Sequence, residues 1–159
     1  RNVHCFEPQR LTYYALCGSV ALSGKQNIIC YCIGLGSLKQ STTRQTLHVI
    51  GNDGGGSTTH LAVGCENLAS ESIEIRTLDS YCFDNVGFIK MDVEDNEQYV
   101  LAGGLQTLQR CGCPPILFEC NNTPSALRSF KKIDIILTNI GYNIHPVAGV
   151  SNMFLATNS

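Results

Sequence analysis

Short apolar runs with no polar face alternate along this chain with stretches of helical spacing, and nothing else in the sequence constrains the fold so tightly. The runs are "VHCF" within residues 2–8, "NIICYCIGLG" at residues 27–36, "VGFIKMDV" at residues 86–93 and "PPILFEC" at residues 114–120. Strands that are apolar on both faces suit a parallel sheet covered by helices. Pro8 starts a helix that runs to about Leu22 with Leu11, Tyr14, Ala15 and Leu22 near helical spacing, and Ser23-Gly24 ends it. A second helix is expected over residues 96–110, with Asp95 as N-cap, Gln98 completing a capping box, and Leu101, Leu105 and Leu108 on one face. Gly103-Gly104 inside it costs about 1 kcal/mol per glycine, which a close packing contact would explain. Thr123-Pro124 opens a third helix carrying Leu127, Phe130, Ile133, Leu137 and Ile140, and Gly141 stops it. "YNIHPV" and "NMFLAT" read as two closing strands. This alternation predicts an α/β sheet.

The 159 residues are enough for one domain with a substantial core, and 43% apolar against 15% charged residues argues against disorder. A net charge of -2 with scattered Lys and Arg gives no footprint for nucleic acid. No apolar run reaches about 18 residues, so no membrane span is expected. Nine cysteines, an odd number without a CxxC pair, read as buried reduced thiols; no metal site is expected. Residues 51–60, "GNDGGGSTTH", lack a following helical pattern and any Gly-Lys-Ser/Thr, so they read as a loop near a site rather than a phosphate cradle. The flanking "TLHVI" and "IEIRTL" are expected to pair as antiparallel strands.

Acids gather where these strands end. Glu7 closes the first, Asp92 and Glu94 the third, and Glu119 the fourth. In open α/β sheets ligands bind beyond the carboxyl ends of the strands. Asp95 and Glu97 read more simply as first-turn helix acids. Lys90 and Asp92 fall on one face of their strand, where they either pair with each other or serve a site. A carboxylate such as Glu7 accepts two hydrogen bonds and suits two vicinal ribose hydroxyls, which makes a nucleoside cofactor a reasonable inference.

In that order, "VHCFEP", "NIICYCIGLG", "RTLDSY", "VGFIKMDVEDNEQYVLAGG", "PPILFEC" and "GYNIHPVAGVSNMFLAT" resemble the FkbM-type methyltransferases. Those enzymes use S-adenosylmethionine and mostly methylate hydroxyl groups. "IKMDVEDNEQYVLAGG" is similar to the family's lysine–x–aspartate–valine–glutamate–glycine–x–glutamate signature, with Asp95 in place of the glycine. The resemblance implies a Rossmann-like class I methyltransferase sheet, mostly parallel, with helices on both faces and a C-terminal antiparallel hairpin. It makes residues 1–159 a single domain whose glycine-rich first strand is expected before Arg1, so the chain reads as a fragment or truncated product.

By position, the resemblance makes Glu7 and Pro8 the ribose-binding segment, and Gly36 and Ser37 part of the turn beside the adenine. Asp92 serves both cofactor and reaction edge. Glu94, Lys90 and Glu119 complete the catalytic candidates, with no metal. The implied reaction is methyl transfer from S-adenosylmethionine to a hydroxyl of a small molecule or glycan. The reduced-looking cysteines, and a glycosylation sequon at residues 121–123 whose glycan would obstruct the crevice, point to the cytoplasm as the expected compartment. The alternative is a non-catalytic relative that acts as a binding module or pairs through an open sheet edge. A nicotinamide dehydrogenase is disfavoured by the absence of a Tyr–x–x–x–Lys relay.

Overall fold

The computed structural model describes residues 1–50, 56–59, 69–121 and 123–158. They fall into two compact units, Arg1–Leu35 with Lys39–Arg76, and Gly36–Leu38 with Thr77–Ser159. The fold is α/β. Among the described residues no helix is long and apolar enough to cross a membrane.

The first unit opens with β1 (Val3–Phe6), α1 (Arg10–Ser23) and β2 (Ile28–Tyr31). β1 and β2 pair in parallel, from Val3↔Ile28 to Phe6↔Tyr31, as their two-faced apolar character predicts. The ladder runs one residue further, because the Glu7 N–H donates to the Tyr31 carbonyl at 3.0 Å. α1 begins at Arg10 rather than Pro8, since the Gln9 N–H is taken by Glu7 Oε1 at 2.8 Å and Gln9 stays extended. Gly24, at φ +64°, ends it. The expected inward stripe of α1 is not the observed one. Leu11, Tyr14, Ala15 and Leu22 are exposed, and Tyr13, Leu16, Cys17 and Val20 are the half-buried set.

The run at 27–36 is not one strand. Gly34 and Leu35 form a separate β3, which is followed by β4 (Gln45–Ile50), β5 (Gly56–Thr58), β6 (Ser70–Ile73) and β7 (Ile75–Arg76). β3 pairs in parallel with β7, and β5-β4-β6 make an antiparallel sheet. "TLHVI" therefore does find an antiparallel partner, in β6. "IEIRTL" is split, with Ile73 closing β6 and Ile75 and Arg76 forming β7. Leu47, Ile73 and Ile75 make the buried cluster of this unit. Of the loop reading at 51–60, residues 51–55 and 60 lie outside the described residues.

The second unit runs β8 (Ile89–Met91), α2 (Glu97–Ala102), α3 (Leu105–Arg110), β9 (Ile116–Glu119), α4 (Pro124–Thr138), β10 (Tyr142–Pro146) and β11 (Met153–Asn158). Its sheet has the order β10-β11-β9-β8. β8 and β9 are parallel, and β11 is antiparallel to both its neighbours, so the expected closing hairpin is present. The strand expected at 86–93 shrinks to three residues, those that face partners on β9 from Ile89↔Ile116 to Met91↔Phe118.

Thr123 caps α4 as its sequence predicts, its Oγ1 accepting the Ala126 N–H at 3.1 Å. α4 buries Ala126, Ile133 and Leu137, whereas Leu127 is half exposed. Ile116 and Phe118 on β9 are fully buried. Each such apolar side chain contributes roughly 1.5–3 kcal/mol. Phe118 stacks on Phe154 at 5.7 Å, and Phe130 tilts against Phe154 at 4.8 Å. The helix expected over 96–110 is two helices, broken at Gly103-Gly104. The described cysteines are all free, but none is fully buried, and Cys32 and Cys82 are exposed.

Candidate active site

Parallel pairing of β8 and β9 brings the acids of the second unit together. Met91 faces Phe118, so Asp92 and Glu119 follow side by side at the carboxyl ends of adjacent strands. Lys90 Nζ lies 2.7 Å from Asp92 Oδ2, with both side chains about half exposed. The pair is thus a solvent-screened one, worth at most about 1 kcal/mol, and it leaves Asp92 Oδ1 for another donor.

Beyond Asp92 the chain reverses in a turn closed by the Asn96 N–H and the Val93 carbonyl at 3.2 Å. Its two central residues, Glu94 and Asp95, have φ +49° and +66°. Such turns favour glycine, and the signature's glycine stands where this chain has Asp95. Asn96 secures the turn by donating its Nδ2 to the carbonyls of Val93 and Glu94, both at 3.1 Å. Asp95 is therefore not an N-cap; Asn96 takes that position, without a side-chain cap bond. Nor does Gln98 complete a capping box, since it is buried with an Oε1 that has no hydrogen-bond partner among the described residues.

Glu97 is buried, 4% exposed, and its Oε1 accepts the Val93 N–H at 3.2 Å. Burial pushes its carboxyl above the ordinary range, and the charges of Asp95 and Asp92 add to this. Glu94 is pushed up too, by burial first and then by the charges of Asp92, Glu119 and Asp95. Asp92, Glu94 and Glu119 thus form one electrostatic group, with Lys90 at its margin. Among the described residues no three His, Cys, Asp or Glu side chains are arranged to hold a metal ion.

Gly36 and Ser37 belong to the same unit. Gly36 is buried against Gly103, where an added Cβ would collide with the Gly36 carbonyl oxygen and come within 3.0 Å of its carbon. This is the close contact that explains the glycine pair. Gly104 is closely but less tightly placed, with Leu78 Cδ2 at 3.0 Å from its would-be Cβ. The carboxylate of Asp79 holds the start of α3, accepting the Thr107 N–H at 2.7 Å and the Gln106 N–H at 3.3 Å. A cavity of about 260 Å³ opens at the end of β9, lined by Cys120, Asn121, Leu127, Phe130, Asn152 and Phe154. The Cys120 thiol is pushed up by burial and by the charges of Glu97 and Asp95, which ties this cavity to the acidic turn.

Glu7 and Pro8 lie in the first unit. Glu7 is half-buried at the exit of β1, and burial raises its carboxyl above the usual range despite the Gln9 N–H. Among the described residues its Oε2 makes no hydrogen bond, so an acceptor is left at the strand tip. Pro8 lines a cleft of about 430 Å³ with Arg10, Arg44, Glu71 and Glu74. Sequence reasoning passed over that mixed-charge rim, and also the roles of Asp79 and Glu97. For Glu97 the signal was present, as it is the last residue of the signature motif; for the others no local pattern exists.

The Methyltransferase FkbM domain family matches residues 2–144. The crystal structure of the methyltransferase FkbM from Methylobacillus flagellatus KT superposes with a TM-score of 0.61 at 19% identity, covering 98% of this chain and 36% of that one. The chain therefore spans about a third of that neighbour's length. No curated protein matches the sequence. With the family pattern extending over nearly the whole chain, and with the acids of its signature gathered where β8 ends beside Glu119 of β9, this chain belongs to the FkbM methyltransferase family.

Proposed function

We propose that this chain performs S-adenosylmethionine-dependent methyl transfer to a hydroxyl group of a small molecule or glycan. The observation that carries the reading is the grouping of Asp92, Glu94 and Glu119 at the carboxyl ends of β8 and β9, in a chain of this family. In the second unit Gly36, Ser37 and Asp92 are the residues that would hold the cofactor, and in the first unit Glu7 and Pro8 stand at the family's ribose-binding positions. Glu7 fits the cofactor chemically, keeping one oxygen open for ribose hydroxyls. When bound, S-adenosylmethionine supplies an electrophilic methyl on a cationic sulfur, a charge that suits an acidic surround.

The protein's own residues act on the acceptor. Glu94, whose carboxyl is raised by burial and by its like-charged neighbours, takes the hydroxyl proton. Raised basicity places it nearer the operating range of a general base. Asp92, with Oδ2 held by Lys90, orients the hydroxyl through its other oxygen. Glu119 keeps the edge negative and sustains the raised basicity of Glu94.

The test uses the full-length protein. Calorimetry with S-adenosylmethionine should show binding that Glu7→Ala weakens at least tenfold, and radiolabelled methyl transfer to hydroxyl acceptors should fall about 10²–10⁴-fold in Glu94→Gln. Absence of cofactor binding by a folded wild-type protein sinks the reading, and undiminished turnover in Glu94→Gln removes that residue from it.

A further inference from the structure

The cavity at the end of β9 has walls that the methyl-transfer chemistry does not use. It begins at Cys120, one residue beyond Glu119, and has a volume of about 260 Å³. Leu127 and Phe130 of α4 and Phe154 of β11 supply its apolar walls. Phe130 and Phe154 meet at 4.8 Å with their planes 52° apart, and both lie against the fully buried Phe118. Unlike Phe118, these two rings are only half-buried, and Leu127 is 51% exposed. Three apolar side chains are thus left around a hollow that close core packing would have filled.

The polar groups of the cavity are already engaged. The Cys120 N–H donates to the Asn152 carbonyl at 2.8 Å, and its thiol donates to the Ala126 carbonyl at 3.4 Å. Asn152 Nδ2 donates to Asn121 Oδ1 at 3.4 Å. None of the lining side chains is charged.

Resting on the methyl-transfer reading above, we propose that this cavity seats the ring of the acceptor, and that the acceptor is a compact aromatic alcohol rather than a glycan. A dry cavity of about 150 Å³ is enough for benzene, so the larger volume here holds a ring with a short substituent. Aromatic rings pack on one another offset or edge to face, with centroids about 4.5–7 Å apart, and the tilted Phe130–Phe154 pair offers a third ring such a corner. A sugar would bring several hydroxyls among apolar walls and amides bonded to each other, and each hydroxyl left without a partner there opposes binding. A one-carbon arm carries the acceptor hydroxyl out of the cavity at the strand ends, where Asp92 and Glu119 stand on adjacent strands. The charges of Asp95 and Glu97 reach the Cys120 thiol, in keeping with an acidic turn beside the ring. The balance is that of the proposed reaction. An O–C bond forms as the methyl C–S bond breaks, the sulfur keeps the electron pair and becomes a neutral thioether, and the hydroxyl proton passes to Glu94.

The test reads ring binding apart from catalysis. Full-length protein is titrated into 4-fluorobenzyl alcohol and followed by fluorine NMR. The expected result is saturable binding, displaced by benzyl alcohol and not by methyl glucoside. Leu127→Trp fills the cavity and should weaken it about tenfold or more, whereas Ile135→Trp, on an exposed position of α4 outside the cavity, should leave it unchanged. Urea midpoints report the folding of both variants. With labelled S-adenosylmethionine, benzyl alcohol should be methylated with a kcat/KM at least tenfold above that of methyl glucoside, and Leu127→Trp should raise KM for benzyl alcohol more than it lowers kcat. The inference is overturned if binding is not saturable, if folded Leu127→Trp binds as wild type does, or if methyl glucoside is the better competitor or acceptor. Cavity-dependent ring binding by a protein that methylates no alcohol supports the seat and sinks the methyl-transfer reading instead.

Discussion

Gly103 sits so close to Gly36 that any Cβ at position 103 would run into the Gly36 carbonyl. The two are far apart in sequence, and one breaks a helix while the other shapes the turn proposed to bear the cofactor's adenine.

That contact predicts opposite outcomes for two Gly→Ala changes. Gly103→Ala overpacks the site and should destabilise by about 1–3 kcal/mol, with weaker S-adenosylmethionine binding as the Gly36–Leu38 turn is displaced. Gly18→Ala, in the interior of α1 with nothing within 4 Å of its would-be Cβ, should stabilise by about 0.5–1 kcal/mol. Urea denaturation of both variants checks the pair, and equal shifts of the same sign would refute the packing argument.

Asp95 holds φ +66° where the family signature has glycine. Asp95→Gly removes the Cβ penalty of the left-handed region and should raise stability by about 0.5–1 kcal/mol, read as a higher urea midpoint at unchanged m. A lower midpoint would mean that the Asp95 carboxylate holds the turn by contacts outweighing the strain.

Glu97 makes stability depend on pH. Its carboxyl is raised above 4.5 in the folded chain, so the folded state favours the protonated form. That contribution is fully present below about pH 4.5 and is lost as pH rises through the folded value. The stability of Glu97→Gln relative to wild type should therefore climb with pH above about 4.5 and then level off. Gln keeps an oxygen for the Val93 N–H. Glu97→Ala leaves that N–H without an acceptor and should cost about 1–3 kcal/mol. Thermal melts across pH decide this, and a pH-independent Gln difference would contradict it.

Glu94, if it takes the acceptor proton, imposes an acid limb on the rate. Activity should rise with pH through a value above 4.5, because Glu94 is raised and only its ionised form accepts a proton. Asp95→Asn removes one of the like charges acting on Glu94, keeps a residue that tolerates positive φ, and should move that limb to lower pH. A kcat profile in which the limb stays put, or moves up, would count against Glu94 as the base.

Much of this architecture was legible before any coordinates. Short two-faced apolar runs became the parallel pairs β1–β2 and β8–β9. Gly24 ended α1 and Thr123 capped α4, because caps are written in the few residues that make them. The acids at the strand exits were also visible, since a strand end is a local event. The errors had a common origin. The exposed stripe of α1 looked as apolar as the inward one, so spacing alone chose wrongly among Leu11, Tyr14 and Tyr13, Leu16. The 96–110 helix looked continuous because the obstacle, Gly36, lies far away in the chain.

By itself, then, the sequence determined the alternation of strands and helices, the Gly24 and Thr123 caps, and the placing of Glu7, Asp92, Glu94 and Glu119 at strand ends, all of which depend on neighbours along the backbone. Only tertiary structure decided that Glu97 is buried on the Val93 N–H, that Asp79 holds α3, and that Gly103 packs on Gly36. Those outcomes rest on register and close packing between residues distant in the chain, and no periodicity or local propensity carries that information.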